Sequence, residues 1–116
     1  LVDTSVWVDH LRRRNEKLES LLLDSRVLCH PLVIGEMSLG RLGNRAIILD
    51  RLSDLPQAGV AEHHEALAFA TRHALAGSGI GWVDLHLLCA AALNHARLWS
   101  LDTRLASAAQ RLGLRR

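Results

Sequence analysis

The chain has only two cysteines and a single lysine, and none of its apolar runs is long enough to span a membrane. Cys29 and Cys89 lie far apart, inside apolar stretches, and neither belongs to a metal-type pair. Both are read as buried free thiols in a reducing cytoplasm, with no positive support for a disulfide. The seven histidines lack metal-ligand spacing. His63 and His64 are adjacent, so on a helix they point about 100° apart and chelate poorly. The histidines are therefore read as surface or hydrogen-bonded residues. No Gly-Lys-Ser/Thr accompanies the glycines at 77, 79 and 81, which excludes a P-loop. No basic-then-apolar leader is present, so secretion is not expected. Leu1 and Arg115-Arg116 read as trimmed edges, with the first strand expected to begin upstream. Fourteen basic residues, all but Lys17 arginine, stand against 12 acids, for a net charge of +2. That excess alone does not establish nucleic-acid binding. It gains meaning if several acids gather in one pocket and leave the remaining surface basic.

The sequence itself is 116 residues long and 49% hydrophobic, enough for one continuous core and one domain over residues 1–116. Leu1-Val2-Asp3-Thr4-Ser5-Val6-Trp7 reads as the end of a buried strand, a turn and a helix start. Thr4 or Ser5 is placed to cap that helix. Asp3 then falls at the strand end where open α/β sheets bind ligands, although such an Asp is often a plain cap or turn residue. The helix continues to His10-Leu11. Arg12, Arg13 and Arg14 follow as either a solvated helix end or an RNA-phosphate contact. Leu18, Leu21 and Leu22 place a second helix over Glu16 to Leu23. Arg26 to His30 reads as a short buried strand.

Pro31 suits the first turn of a helix running to about Gly40. Glu36 interrupts its apolar run. It needs a partner, a proton or a cation if buried, and none if the helix turns it to water. Gly35 in the helix interior suggests close approach of another backbone. A helix around Ile47 to Leu52 ends at Leu55-Pro56, Ala58 to Val60 forms a short strand, and Glu62 to Leu75 forms another helix. After the glycine-rich loop, a strongly apolar helix runs from Asp84 to about Asn94. Asp84 serves as its N-cap or as a cation ligand held at the helix N-terminus. Arg97-Leu98-Trp99-Ser100-Leu101-Asp102 repeats the opening pattern: strand, turn, acid. A helix follows from Thr103 to Leu112, and Gly113 ends it. Strands alternating with helices favour an α/β fold with a small parallel sheet. Asp3 and Asp102 share one edge of it, and Asp84 and Glu36 close over that edge. Four carboxylates there repel one another unless a divalent cation is present, and oxygen donors suit Mg²⁺ or Mn²⁺.

The Leu1–Trp7 stretch, Gly35-Glu36, Gly81-Trp82-Val83-Asp84-Leu85-His86-Leu87-Leu88 and Trp99-Ser100-Leu101-Asp102-Thr103-Arg104-Leu105 together resemble the PIN domain. Within it they most resemble the VapC-type toxins of bacterial toxin–antitoxin pairs. The resemblance covers nearly the whole chain and rests on the order and spacing of all four motifs. It implies a three-layer α/β/α sandwich with a parallel sheet and a metal-dependent endoribonuclease activity. Residue by residue, Asp3, Glu36, Asp84 and Asp102 match the family's acidic quartet. Ser100 matches the hydroxyl residue two positions before the last acid. The first, third and fourth acids would hold Mg²⁺ or Mn²⁺, and Glu36 would hold a water on the metal or orient the nucleophile. Many members carry a further Asp or Asn where Thr103 and Arg104 stand here, so the resemblance implies one tight metal and at most one weaker. It also implies a homodimer, and a cognate antitoxin whose tail plugs the acidic pocket, often with an arginine. Arg12, Arg13, Arg14, Arg41 and Arg104 are candidates for RNA-phosphate contact from charge and position.

Two other readings compete. One is a non-catalytic module that binds RNA or antitoxin and acts in operon autoregulation. Clustering acids beside a polyanion gains such a module nothing, and metal-dependent RNA cleavage separates the two. The other is a haloacid-dehalogenase-like phosphatase, which wants a second Asp where Ser5 stands and a late lysine where the chain has none.

Overall fold

The computed structural model describes residues 1–116. Seven helices follow one another: α1 (Thr4–Arg13), α2 (Glu16–Leu23), α3 (Pro31–Ser38), α4 (Arg45–Asp54), α5 (His63–Arg72), α6 (Trp82–Leu93) and α7 (Thr103–Arg111). None is long and apolar enough to cross a membrane. Helix α1 packs on α2 and α3, α3 on α4, and α5 on α6.

Short extended segments join the helices and meet in parallel. Val2 bridges Trp99, Cys29 bridges Gln57, and Leu98 bridges Arg115. The Val2 N–H donates to the Leu28 carbonyl at 3.3 Å and links the first two pairs. These contacts set the segments side by side in the order 114–116, 97–100, 1–3, 27–30, 56–58. Each contact is an isolated bridge, where the sequence suggests continuous strands. The segments are brief because a helix cap interrupts them. Asp3 is the N-cap of α1, and His30 is the N-cap of α3. The strand expected at Ala58 to Val60 contributes its bridge one residue earlier, at Gln57.

Helix α6 is the spine of the core. Leu85 to Ala91 are buried without interruption, which explains an apolar pattern with no polar face. Leu87 and Leu88 pack there with Val6, Leu18, Val33, Leu98 and Leu105, all essentially inaccessible. Both cysteines are buried and free. Burial is the main influence pushing both thiols up.

Helix boundaries follow local chemistry. Asn15 caps α2 by accepting from the Leu18 N–H at 3.0 Å, and Pro31 opens α3 at its first position. Gly113, at φ +72°, leaves α7 through the left-handed region. Two expectations are corrected. Thr4 and Ser5 do not cap α1; both lie within the helix, and their hydroxyls turn to carboxylates instead. Gly35 permits no close backbone approach, since a Cβ built there meets nothing within 4 Å.

Gly35→Ala should therefore stabilise the protein by about 0.5–1 kcal/mol, because alanine costs less backbone entropy in a helix interior. Leu87→Ala should cost about 2–5 kcal/mol through the cavity it leaves in the core. Urea unfolding of the two variants beside the wild type checks both signs.

Candidate functional site

The order of the extended segments reverses direction at residues 1–3. From there the chain winds outward to 27–30 and 56–58 on one side, then returns to 97–100 and 114–116 on the other. Such a reversal opens a crevice at the carboxyl ends of the central segments. Asp3 and Ser100 both stand at that point.

Asp3 is 5% exposed. Its backbone N–H donates to the Trp99 carbonyl at 2.9 Å. Its Oδ2 accepts from the Ser5 and Ser100 hydroxyls, each at 2.7 Å. Those hydroxyls accept in turn: Ser5 Oγ from the Leu101 N–H at 2.9 Å, and Ser100 Oγ from the Asp102 N–H at 3.0 Å. Each serine has one proton and gives it to Asp3, so the 3.4 Å approach of the two hydroxyls is a contact within this network.

Asp102 is the N-cap of α7 and accepts the Leu105 N–H on Oδ1 at 3.0 Å. Asp84 is not an N-cap, as the sequence allowed. It is the third residue of α6 and reaches back so that Oδ2 accepts the Gly81 N–H at 3.1 Å. Burial is the largest influence on the Asp84 carboxyl and raises it above the usual carboxylate range. The Gly81 N–H opposes this, and the Asp3 and Asp102 charges add to the rise. Asp3 and Asp102 are therefore near enough for their charges to act on Asp84.

Glu36 is exposed, so the buried alternative is set aside. Its Oε1 accepts from the Thr4 hydroxyl at 2.7 Å, which ties α3 to the residue after Asp3. It lines a cavity of about 690 Å³ together with Thr4, Arg12 and Arg41. Each of the four acids thus commits one carboxylate oxygen to an internal hydrogen bond and keeps the other free. No three acidic, histidine or cysteine side chains are arranged to enclose a metal ion by themselves. The donor set still fits a hydrated hard cation. Mg²⁺ takes oxygen ligands, keeps several waters, and needs only one or two direct carboxylates.

The five candidate arginines divide. Arg13 pairs with Asp9 at 2.6 Å, and both arms of Arg14 meet Glu19 at 2.7 Å. Arg12 and Arg41 lie beside Glu36. Arg104 turns toward the Gly79 carbonyl.

Two histidines are buried, and the first of them is hydrogen-bonded, as expected. His30 is fully buried; its Nδ1 accepts from the Leu32 N–H at 2.9 Å while Nε2 has no partner. His86 is also buried and its Nδ1 is unpartnered, so it is neither a surface nor a hydrogen-bonded residue at that atom. Their ring centres are 6.4 Å apart. Burial lowers the pKa of both; His86 adds to this at His30, and His63 at His86. His86 was legible as an interior position of an apolar helix. His30 was legible as the last residue of the short buried strand read over Arg26 to His30.

The PIN domain model matches residues 1–111. Two relatives, each named Ribonuclease VapC32, come from Mycobacterium tuberculosis strains CDC 1551 / Oshkosh and ATCC 25618 / H37Rv. Each is 46% identical over 115 residues, which span 98% of this chain and 93% of the relative. The chain belongs to the PIN domain family and is similar within it to VapC ribonucleases.

Proposed function

We propose that the protein is a metal-dependent endoribonuclease, the toxin of a bacterial toxin–antitoxin pair acting in the cytoplasm. The observation that carries this reading is the placement of Asp3 and Asp102 by one hydrogen-bond network at the winding reversal, in a chain 46% identical to a named ribonuclease. The fold we infer is the family's three-layer α/β/α sandwich, of which the parallel bridges are the central layer.

Asp3, Asp84 and Asp102 would hold Mg²⁺ or Mn²⁺, directly or through water, with the oxygens that their internal hydrogen bonds leave free. When bound, that cation supplies charge for the phosphoryl oxygens and lowers the pKa of a water. Ser5 and Ser100 fix the orientation of Asp3. Glu36, held by the Thr4 hydroxyl, would direct the attacking water. In-line attack on phosphorus would leave a 5′-phosphate and a 3′-hydroxyl. Arg12 and Arg41 would meet RNA phosphates beside Glu36, and Arg104 on the other side. Arg13 and Arg14, already matched to carboxylates, would contribute less. A homodimer and a cognate antitoxin complete the reading. Leu39, Ile47 and Leu93 stand exposed as apolar surface that such partners could cover.

Cleavage of total RNA by antitoxin-free protein should require Mg²⁺ or Mn²⁺, stop with EDTA, and fall at least ~100-fold in Asp84→Asn. Retained cleavage in that variant would sink the site assignment, and no cleavage by folded wild type would favour the binding module. Ser100→Ala should weaken the apparent metal affinity about 10–100-fold, with much of the rate restored at high metal, because the serine only orients Asp3. A third expectation concerns stability. The folded protein holds the Asp84 proton more tightly than the unfolded chain, whose value is near 3.8. Metal-free stability should therefore decline as pH rises from that value through the raised one. Asp84→Asn should flatten this decline and melt higher than wild type at neutral pH. Thermal melts in EDTA across pH read this directly; identical profiles would contradict it.

A further inference from the structure

A second polar pocket lies on the outer face of α7, beginning at the residue after Asp102. It has a volume of about 340 Å³ and is lined by Ser78, Thr103, Arg104, Ser107, Ala108 and Arg111. Two guanidiniums and three hydroxyls face one space, no carboxylate lines it, and Ala108 is its one apolar residue.

The two arginines differ from Arg13 and Arg14 in what holds them. Arg111 donates from Nη2 to the His73 carbonyl at 2.9 Å. Arg104 directs Nη1 at the Gly79 carbonyl, 3.5 Å away. Neither forms an ion pair. A neutral carbonyl fixes a guanidinium without neutralising it and leaves most of its five donors free. Gly79 is shaped to this arrangement. Its φ is +83°, and a Cβ there would fall 3.2 Å from Arg104 Cδ. The pocket is therefore a preset pair of positive charges with hydroxyl donors between them, the composition that recognises a phosphate oxyanion.

We propose that this pocket holds a backbone phosphate of the RNA strand, next to the phosphodiester that is cleaved. The inference rests on the ribonuclease reading and extends it to residues outside the acidic site. Thr103 follows Asp102 directly, so the pocket adjoins that site along one helix. A cluster of carboxylates repels a polyanion, and a flanking cationic subsite offsets that repulsion where the strand must approach. A protein partner is the weaker match, because the lining offers almost no apolar surface to bury.

The test is the binding of a short fluorescein-labelled single-stranded RNA, followed by anisotropy across a salt series in the cleavage-blocked Asp84→Asn background. Arg111→Ala should weaken binding about tenfold and reduce the slope of log K against log salt by about 0.7, the value of one lost single-strand phosphate contact. Ser107→Glu should weaken it at least as much, and Lys17→Ala, outside the pocket, should not. With Asp84 intact, Arg111→Ala should raise KM and leave kcat near wild type. Far-UV circular dichroism confirms that each variant is folded, and Arg111→Lys should recover part of the affinity. Unchanged RNA affinity and KM in both Arg111→Ala and Ser107→Glu, with cleavage intact, overturns the pocket and leaves the nuclease standing. Unchanged RNA affinity together with a weakened grip on the antitoxin assigns the pocket to the protein partner and overturns it equally. If wild type neither binds nor cuts RNA, the nuclease reading falls and the pocket with it.

Discussion

A carboxylate buried at 5% exposure and held by two serine hydroxyls is the constraint around which this molecule is arranged. A buried charge without partners is costly, so Asp3 requires Ser5 and Ser100 at hydrogen-bond distance. Ser5 lies in the turn of helix that follows Asp3, whereas Ser100 is 97 residues away along the chain. Satisfying Asp3 therefore brings the first and fourth extended segments side by side and fixes the point where the winding reverses. The same serines accept the Leu101 and Asp102 N–H groups, so the network also shapes the turn that presents Asp102. One buried charge thus links fold and site.

The other acids are held by helix ends. Asp84 and Asp102 each accept a backbone N–H in the first turn of a helix. These bonds occupy one oxygen of each carboxylate and direct the other outward. The arrangement stabilises the helices and, at the same time, concentrates negative charge that burial makes unfavourable, as the raised Asp84 carboxyl records. A carboxyl perturbed in this way is characteristic of functional sites.

The positive charges complement this on two flanks. Arg12 and Arg41 share the larger cavity with Glu36, while Arg104 and Arg111 share the smaller pocket on α7. Arg13 and Arg14 are matched to nearby carboxylates and add little field. The modest net charge of +2 therefore conceals an uneven surface, on which Asp3 is buried, Glu36 and Asp102 are exposed, and arginines without ion pairs line the two cavities.

Much of this was present in the residues alone. The spacing of apolar positions located all seven helices, because helical periodicity is a local property. The four acids were conspicuous because each interrupts or bounds an apolar run, and the resemblance of four motifs in order named the family. What the sequence could not decide was direction and pairing. Glu36 and a buried carboxylate have the same local pattern; only the packing of α3 against α1 turns it outward to the Thr4 hydroxyl. Asp84 as N-cap or as third residue differs by less than one helical turn, and the Gly81 N–H settled it. Gly35 suggested a close neighbour that packing does not supply, and His86 was read by residue type as surface or hydrogen-bonded although its apolar helix marks it as interior. The extended segments show the limit most clearly. Their apolar residues specify burial, but whether they form ladders or single bridges depends on partners nearly a hundred residues away and on where each helix cap takes the chain out of the sheet. Local patterning determined which residues would be helical, buried or charged; long-range contacts decided which of them face one another, because hydrogen bonds and charges act through space and not along the chain.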